Sequence, residues 1–143
     1  MKDEKYMKTA LELASQAADR GEIPVGAVIV CDGEVIAKAS NTKEADGCAI
    51  GHAEINAIKA TGRKYLEDCT LYVTLEPCPM CAGAIINARV GRVVFGAYDD
   101  KGGACTSVCN LFEMPFNHRP YVMGGVCEEE CANILREFFK NIR

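Results

Sequence analysis

No apolar run in this sequence approaches the ~18 residues of a membrane-spanning helix, which excludes a helical membrane protein. Basic residues are not in excess either: 16 Lys and Arg against 20 Asp and Glu leave a net charge of −4. A dedicated nucleic-acid binder usually carries a basic footprint, so the total counts against one, although a local patch matters more than the sum. Histidine is scarce: with two in the chain, a structural site of two Cys and two His would have to recruit His52 and the distant His118. Repeats, low-complexity tracts and linker-like stretches are absent, which predicts one domain over residues 1–143. Met1-Lys2-Asp3-Glu4-Lys5 is charged and runs into an amphipathic pattern, so these residues are not expected to act as a secretory signal. The expectation is a cytoplasmic protein.

What the chain has in quantity is cysteine, nine in all. In a cytoplasmic chain an odd number of cysteines does not read as a disulfide framework. Cys31, Cys48, Cys69, Cys105, Cys109, Cys127 and Cys131 mostly sit in apolar stretches, where a thiol acts as a small hydrophobe. Cys105/Cys109 and Cys127/Cys131 are spaced i, i+4, but no further His accompanies them and structural zinc favours tighter spacing. The remaining two, Cys78 and Cys81, carry the chemistry.

The periodicity orders the chain. Met7, Ala10, Leu11, Ala14 and Ala17 recur at helical spacing, with Gly21 as the stop. Val25 to Cys31 is apolar, Asp32-Gly33 signals a hairpin, and Glu34 to Ala39 reads as its return strand. Ser40 to Gly51 is polar and aperiodic, a loop. His52 to Ala60 and Pro79 to Ala88 read as helices, the second with proline in its first turn. Thr70 to Leu75 and Val90 to Ala97 read as strands, Tyr121 to Val126 as a last strand, and Glu128 to Lys140 as a closing helix. Alternating strands and helices predict an α/β sandwich with some parallel pairing.

Two segments stand out: His52-Ala53-Glu54 at a helix start, and Pro77-Cys78-Pro79-Met80-Cys81 at a strand-to-helix junction. Cysteines at i, i+3 on a first helical turn point the same way, and the positive end of the helix favours their thiolates. A third ligand from another helix, His52, leaves one metal position open, as in catalytic rather than structural zinc sites. Water in that position becomes a nucleophile at neutral pH, and Glu54 is placed to move the protons. Residues i and i+2 do not share a helix face, so this works only if His52 lies at the helix mouth. Alone, Cys-x-x-Cys is also a redox dithiol or part of a structural knuckle, and His-x-Glu alone means little. Together, His-x-Glu followed by Pro-Cys-x-x-Cys resembles the zinc deaminase signature.

The run Thr70 to Ala84 (TLYVTLEPCPMCAGA) resembles the bacterial tRNA-specific adenosine deaminases, which convert the wobble adenosine to inosine. Gly21 to Val28, Val94 to Ala97, Phe116-Asn117-His118-Arg119-Pro120 and Phe138-Phe139 agree, so the resemblance covers nearly the whole chain. It implies a three-layer α/β/α cytidine-deaminase-like fold with a central mixed five-stranded sheet, and one zinc ion per chain. It also implies a homodimer whose interface helps form the substrate site, and a tRNA anticodon loop as partner. Position by position, it implies that Asn41 and the backbone N–H of Ala53 contact the nucleoside. Asp99 would then lie near the ribose, with Phe116, Asn117 and His118 in a loop that meets the anticodon.

The chain departs from the family pattern before the histidine, where Cys48-Ala49-Ile50-Gly51 replaces something close to Asp-Pro-Thr-Ala. Thr42 to Asp46 is not basic although it borders the substrate, and the Ala60–Tyr65 segment is about one helical turn short. These features bear on RNA docking, not on the metal. Besides tRNA editing, two readings stand: deamination of a free base, nucleoside or nucleotide, and a non-catalytic zinc module. Glu54 argues against the last, since a structural site needs no proton shuttle.

Overall fold

The computed structural model describes residues 2–142; Met1 and Arg143 lie outside the described residues. In chain order the elements are α1 (Lys2–Asp19), β1 (Gly26–Cys31), β2 (Glu34–Ser40), α2 (Lys43–Asp46), α3 (Ala53–Ala60), β3 (Cys69–Leu75), α4 (Pro79–Asn87), β4 (Arg92–Ala97), β5 (Tyr121–Met123) and α5 (Glu128–Asn141). A short 3-10 turn, Leu111–Glu113, precedes β5. The five strands form one sheet in the order β2-β1-β3-β4-β5. β1 pairs antiparallel with β2 and β3, whereas β3–β4 and β4–β5 are parallel. The sheet is therefore mixed, and helices cover both faces: the three-layer α/β/α cytidine-deaminase-like arrangement that the resemblance implies.

Alternation along the central strands divides the core. Ala27 and Ile29 of β1, with Leu71 and Val73 of β3, face α3 and α4. Val28, Val30 and Tyr72 face the opposite way, onto Tyr6, Met7 and Ala10 of α1 and Cys131 of α5. Because both faces are buried, these strands read as continuous apolar runs. The β1–β2 hairpin turns at Asp32 (φ 51°) and Gly33 (φ 77°), both left-handed, as a two-residue turn matched to the strand twist requires.

One helix lies unusually close to the sheet. The buried positions of α1 are largely alanine (Ala10, Ala14, Ala17), so its backbone comes down onto the start of β1. A Cβ on Gly26 would stand 2.0 Å from the Ala10 carbonyl oxygen and 2.8 Å from the Ala14 nitrogen. Beside this contact, the Gly26 N–H donates to Thr74 Oγ1 at 3.2 Å, tying β1 to β3. At the other end of α1, Asp3 takes two hydrogen bonds from Arg92 (3.0 and 2.7 Å) and one from the Tyr72 hydroxyl (2.7 Å).

Beyond end shifts of one or two residues, such as β4 starting at Arg92 rather than Val90, two segments differ from expectation. The polar stretch Ser40–Gly51 contains a single helical turn, α2, which hydrophobic periodicity does not reveal because none of its residues is buried. The last strand is three residues rather than six, since β5 is exposed throughout and Gly124-Gly125 turns the chain away.

The α1–β1 contact is testable by the smallest possible insertion. Gly26→Ala forces a methyl into backbone atoms that cannot move independently, so it is expected to cost about 2–3 kcal/mol. A urea midpoint unchanged from the parent protein would show that α1 can lift away without loss.

Candidate active site

The chemistry-bearing residues collect where β3 ends and where α3 and α4 both begin. His52 is extended (φ −93°, ψ 149°) immediately before α3, and Cys78 is extended (φ −76°, ψ 174°) immediately before α4. Neither side chain caps its own helix, so both turn toward each other. His52 Nδ1 lies 3.7 Å from Cys78 Sγ and 3.5 Å from Cys81 Sγ, and the three donor atoms fall within 4.8 Å of one another. The residues can therefore hold a metal ion. The condition set by the His52–Glu54 spacing is met, because His52 stands at the helix mouth rather than within regular helix.

Charge in this cluster is unevenly held. The Cys81 S–H, aided by His52, holds the Cys78 thiol down to about 4. The Cys81 thiol is pushed up, by that same hydrogen bond and by burial. His52 is raised by its partner Cys78. One thiolate thus sits at the start of α4, where free N–H groups and the helix dipole favour it. Glu54, 4% exposed, is pushed up to about 7 by burial. A carboxyl in that range can both take and give a proton near neutral pH.

A cavity of about 130 Å³ opens onto these groups, bounded by Asn41, His52, Glu54, Cys78 and Asp99, with Ile23, Val25 and Leu75 as its apolar wall. That is well below the ~300–1,000 Å³ of sites that engulf a drug-sized ligand. It has room for one ring system, and the remainder of a larger substrate must lie outside. A larger cavity of about 570 Å³ borders β5 and the 3-10 turn, but none of His52, Glu54, Cys78 and Cys81 lines it. Volume does not decide the site; the donor geometry does.

Other expected residues divide. Asn41 is buried and its Oδ1 accepts from the Ala53 N–H at 2.8 Å. The two residues expected to meet the nucleoside are thus bonded to each other, with Asn41 at the pocket wall. Asp99 reaches the pocket, and its Oδ1 accepts from the N–H groups of Lys101 and Gly102 at 3.2 and 3.1 Å. Phe116, Asn117 and His118 are not brought to the pocket of their own chain. Phe116 and Asn117 are exposed, and His118 Nε2 donates to the Val90 carbonyl at 2.7 Å.

Two acidic residues that pattern reading passes over shape the site from behind. Glu76 is 2% exposed. Its carboxylate accepts from the N–H groups of Asp99 (3.0 Å), Cys105 (3.1 Å), Thr106 (2.8 Å) and Ser107 (2.9 Å), and from the Ser107 hydroxyl. Gly103 is pressed so close that a Cβ there would lie 2.2 Å from the Glu76 carboxyl carbon. Glu22, also 2% exposed, accepts from the N–H groups of Glu44 (2.9 Å) and Ala45 (2.8 Å), anchoring α2 beside Asn41. The signal was present: each is an acid in an apolar setting just ahead of a proline, Glu22-Ile23-Pro24 and Glu76-Pro77. A buried carboxylate needs donors, and loop N–H groups supply them.

Comparison with known proteins agrees with this geometry. Residues 1–143 match the model of the MafB19-like deaminase family. The chain is 51% identical over 146 residues to the tRNA-specific adenosine deaminase of Bacillus subtilis, covering 99% of this chain and 91% of that one. It is 45% identical over 152 residues to the protein of the same name from Aquifex aeolicus, covering 100% and 97%. A solved structure from studies of A-to-I editing by tRNA:A34 deaminases at the wobble position of transfer RNA superposes with a TM-score of 0.89. It is 44% identical and the match covers 92% of this chain and 99% of that one.

Glu76 gives a pH-dependent test. Burial alone would raise its carboxyl, but the hydrogen bonds from Ser107 and the loop N–H groups outweigh it and hold the group below its ordinary value. A depressed folded-state value contributes stability that is present above the unfolded value, ~4.3, and is lost as pH falls through the folded value. Glu76→Gln should therefore cost about 2–3 kcal/mol at pH 7. The gap to the parent protein should narrow in urea titrations at pH 3.5. An equal gap at both pH values would remove the charge from the account.

Proposed function

The chain belongs to the MafB19-like deaminase family and groups with the tRNA-specific adenosine deaminases, and from that membership we propose that it hydrolyses the wobble adenosine of a tRNA anticodon to inosine, releasing ammonia. The observation that carries this reading is the convergence of His52, Cys78 and Cys81 beside the buried Glu54, in a pocket with room for one base.

One nitrogen and two sulfur donors suit zinc, and three protein ligands leave a fourth position open. We assign one zinc ion per chain to this set. Zinc held there supplies the Lewis acidity that brings the pKa of a water toward ~7. Glu54 takes the proton of the attacking water and passes it to the purine N1. It then carries the second proton to the amine leaving C6. One water is consumed: the C–O bond forms as N1 takes the first proton, and the C–N bond breaks afterwards as the amine takes the second and leaves as ammonia. Asn41, fixed by its bond to Ala53, and Asp99, held by the Glu76-anchored loop, orient the nucleoside at the pocket mouth. A base already unpaired in an anticodon loop costs little to extrude. The small cavity fits that mode, taking in the base and leaving the RNA backbone outside.

The protein functions as a homodimer in this reading. β5 and the segment before it expose Met114, Phe116, Tyr121 and Met123, a face suited to a second copy. Phe116, Asn117 and His118 then serve the partner's substrate rather than their own pocket. The dimer and a cytoplasmic location both rest on the family resemblance. No helix among the described residues is long and apolar enough to cross a membrane.

Inosine formation on an anticodon stem-loop with a wobble adenosine, compared with free adenosine, adenine, guanine and cytidine, tests the substrate. Turnover is expected on the RNA; turnover on a small molecule alone would assign the altered Cys48–Gly51 loop to a changed specificity. Glu54→Ala should keep its zinc and lose about 10²–10⁴ in kcat, and substantial remaining activity would take Glu54 out of the mechanism. Cys81→Ala should lower zinc per chain by metal analysis, and full occupancy would refute the ligand assignment.

A further inference from the structure

At the end of the sheet remote from the pocket, Cys31 closes β1 and Cys69 opens β3, and the two are direct register partners on antiparallel strands. Such partners have Cα atoms ~4.5–5.5 Å apart, within the ~4.4–6.8 Å that a disulfide spans. Both side chains lie on the sheet face that carries Ile29 and Leu71, and their sulfurs are within 4.8 Å of each other. Asp68 accepts from both thiols, Oδ2 from Cys31 at 3.1 Å and Oδ1 from Cys69 at 3.5 Å. Arg63 completes the cluster, with Nη2 2.6 Å from Asp68 Oδ1 and Nη1 3.6 and 3.5 Å from the Cys31 and Cys69 sulfurs.

Two thiols and a carboxylate also resemble a cation site. The guanidinium, however, already touches all three donors. A fixed positive charge there repels a metal ion. We propose that Cys31 and Cys69 are a reversible dithiol–disulfide pair, oxidised by low-molecular-weight disulfides of the glutathione type.

Cys31 is half-buried and Cys69 is 2% exposed, so Cys31 is the thiol a reagent reaches. The Cys31 thiolate attacks one sulfur of the small disulfide, whose S–S bond breaks and whose other half departs as a thiolate that picks up a proton. Cys69 then attacks the Cys31 sulfur of the mixed disulfide. The second small thiolate leaves and takes the Cys69 proton. The protein gives up two electrons and two protons, and the small disulfide becomes two thiols.

The cross-link would close the segment running from Asp32 to Asp68, which carries Asn41, His52 and Glu54. The sulfurs themselves lie a whole strand from the site, ~20 Å along β3 at ~3.3 Å per residue. Oxidation should therefore fasten the half-site against unfolding without altering its chemistry.

The test treats zinc-loaded protein, its metal-site thiols protected, with oxidised glutathione. Intact mass should fall by two hydrogens, peptide mapping should find a Cys31–Cys69 link, and a dithiol reductant should reverse both. Tm should rise by about 5 °C or more with kcat unchanged, and Cys31→Ser and Cys69→Ser should show neither link nor rise. Glutathione retained on Cys31 without a cross-link would overturn the proposal. So would a second tightly bound zinc or cadmium ion that Cys31→Ser abolishes.

Discussion

The site depends on one constraint: α3 and α4 must start at the same end of the sheet, with the residue before each helix extended and its side chain not used as a cap. At most helix starts the cap residue turns back to satisfy its own backbone. Here His52 and Cys78 occupy those two positions and face each other instead. The free N–H groups at the start of α4 are left to favour negative charge, which is where the thiolate resides. The parallel β3–α4–β4 unit sets this up, since strand ends and helix starts in such a unit fall on one side of the sheet.

The same neighbourhood treats three carboxyls in different ways. Glu54 is buried with little to hydrogen-bond its charge, so burial raises it. Glu76 is as deeply buried but collects N–H and O–H donors from a whole loop, and it stays ionised. Glu22 receives two N–H groups from α2. One residue type thus serves as loop anchor, helix anchor and, in the proposed reaction, proton carrier, and the count of donors around each separates the three. The two anchors also explain how polar, exposed loops can hold Asn41 and Asp99 still. Each loop is fastened to a carboxylate that is itself locked in the core.

Much of this was legible from the sequence because the informative residues sit at element boundaries. Gly21, Asp32-Gly33, Glu76-Pro77 and Pro79 each mark a start or stop, and the His52, Cys78 and Cys81 spacing is meaningful only at helix starts. The mixed sheet order came from resemblance, since periodicity finds strands but not their neighbours. α2 escaped because a single exposed turn has no apolar face. The Asn41–Ala53 bond escaped for another reason: it joins a strand end to a helix start across a loop, and no local pattern encodes which of two polar groups a ligand will find free. Glu22 and Glu76 were visible as acids among apolar residues, but their partners lie 22 to 31 positions away.

The cysteines show how far residue type alone can mislead. Cys131 packs as a hydrophobe against α1 and β4. Cys78 and Cys81 face an imidazole, which neutral nitrogen makes a fellow ligand, so the three donors converge on space a cation can fill. Cys31 and Cys69 face a guanidinium, which has no lone pair to offer and cannot lose its charge. A cation is then already in place, and the sulfurs are left with each other. His52 and Arg63 are both nitrogen groups flanked by two sulfurs at about 3.5–3.7 Å. What separates a metal centre from a dithiol here is whether that nitrogen can accept as well as donate.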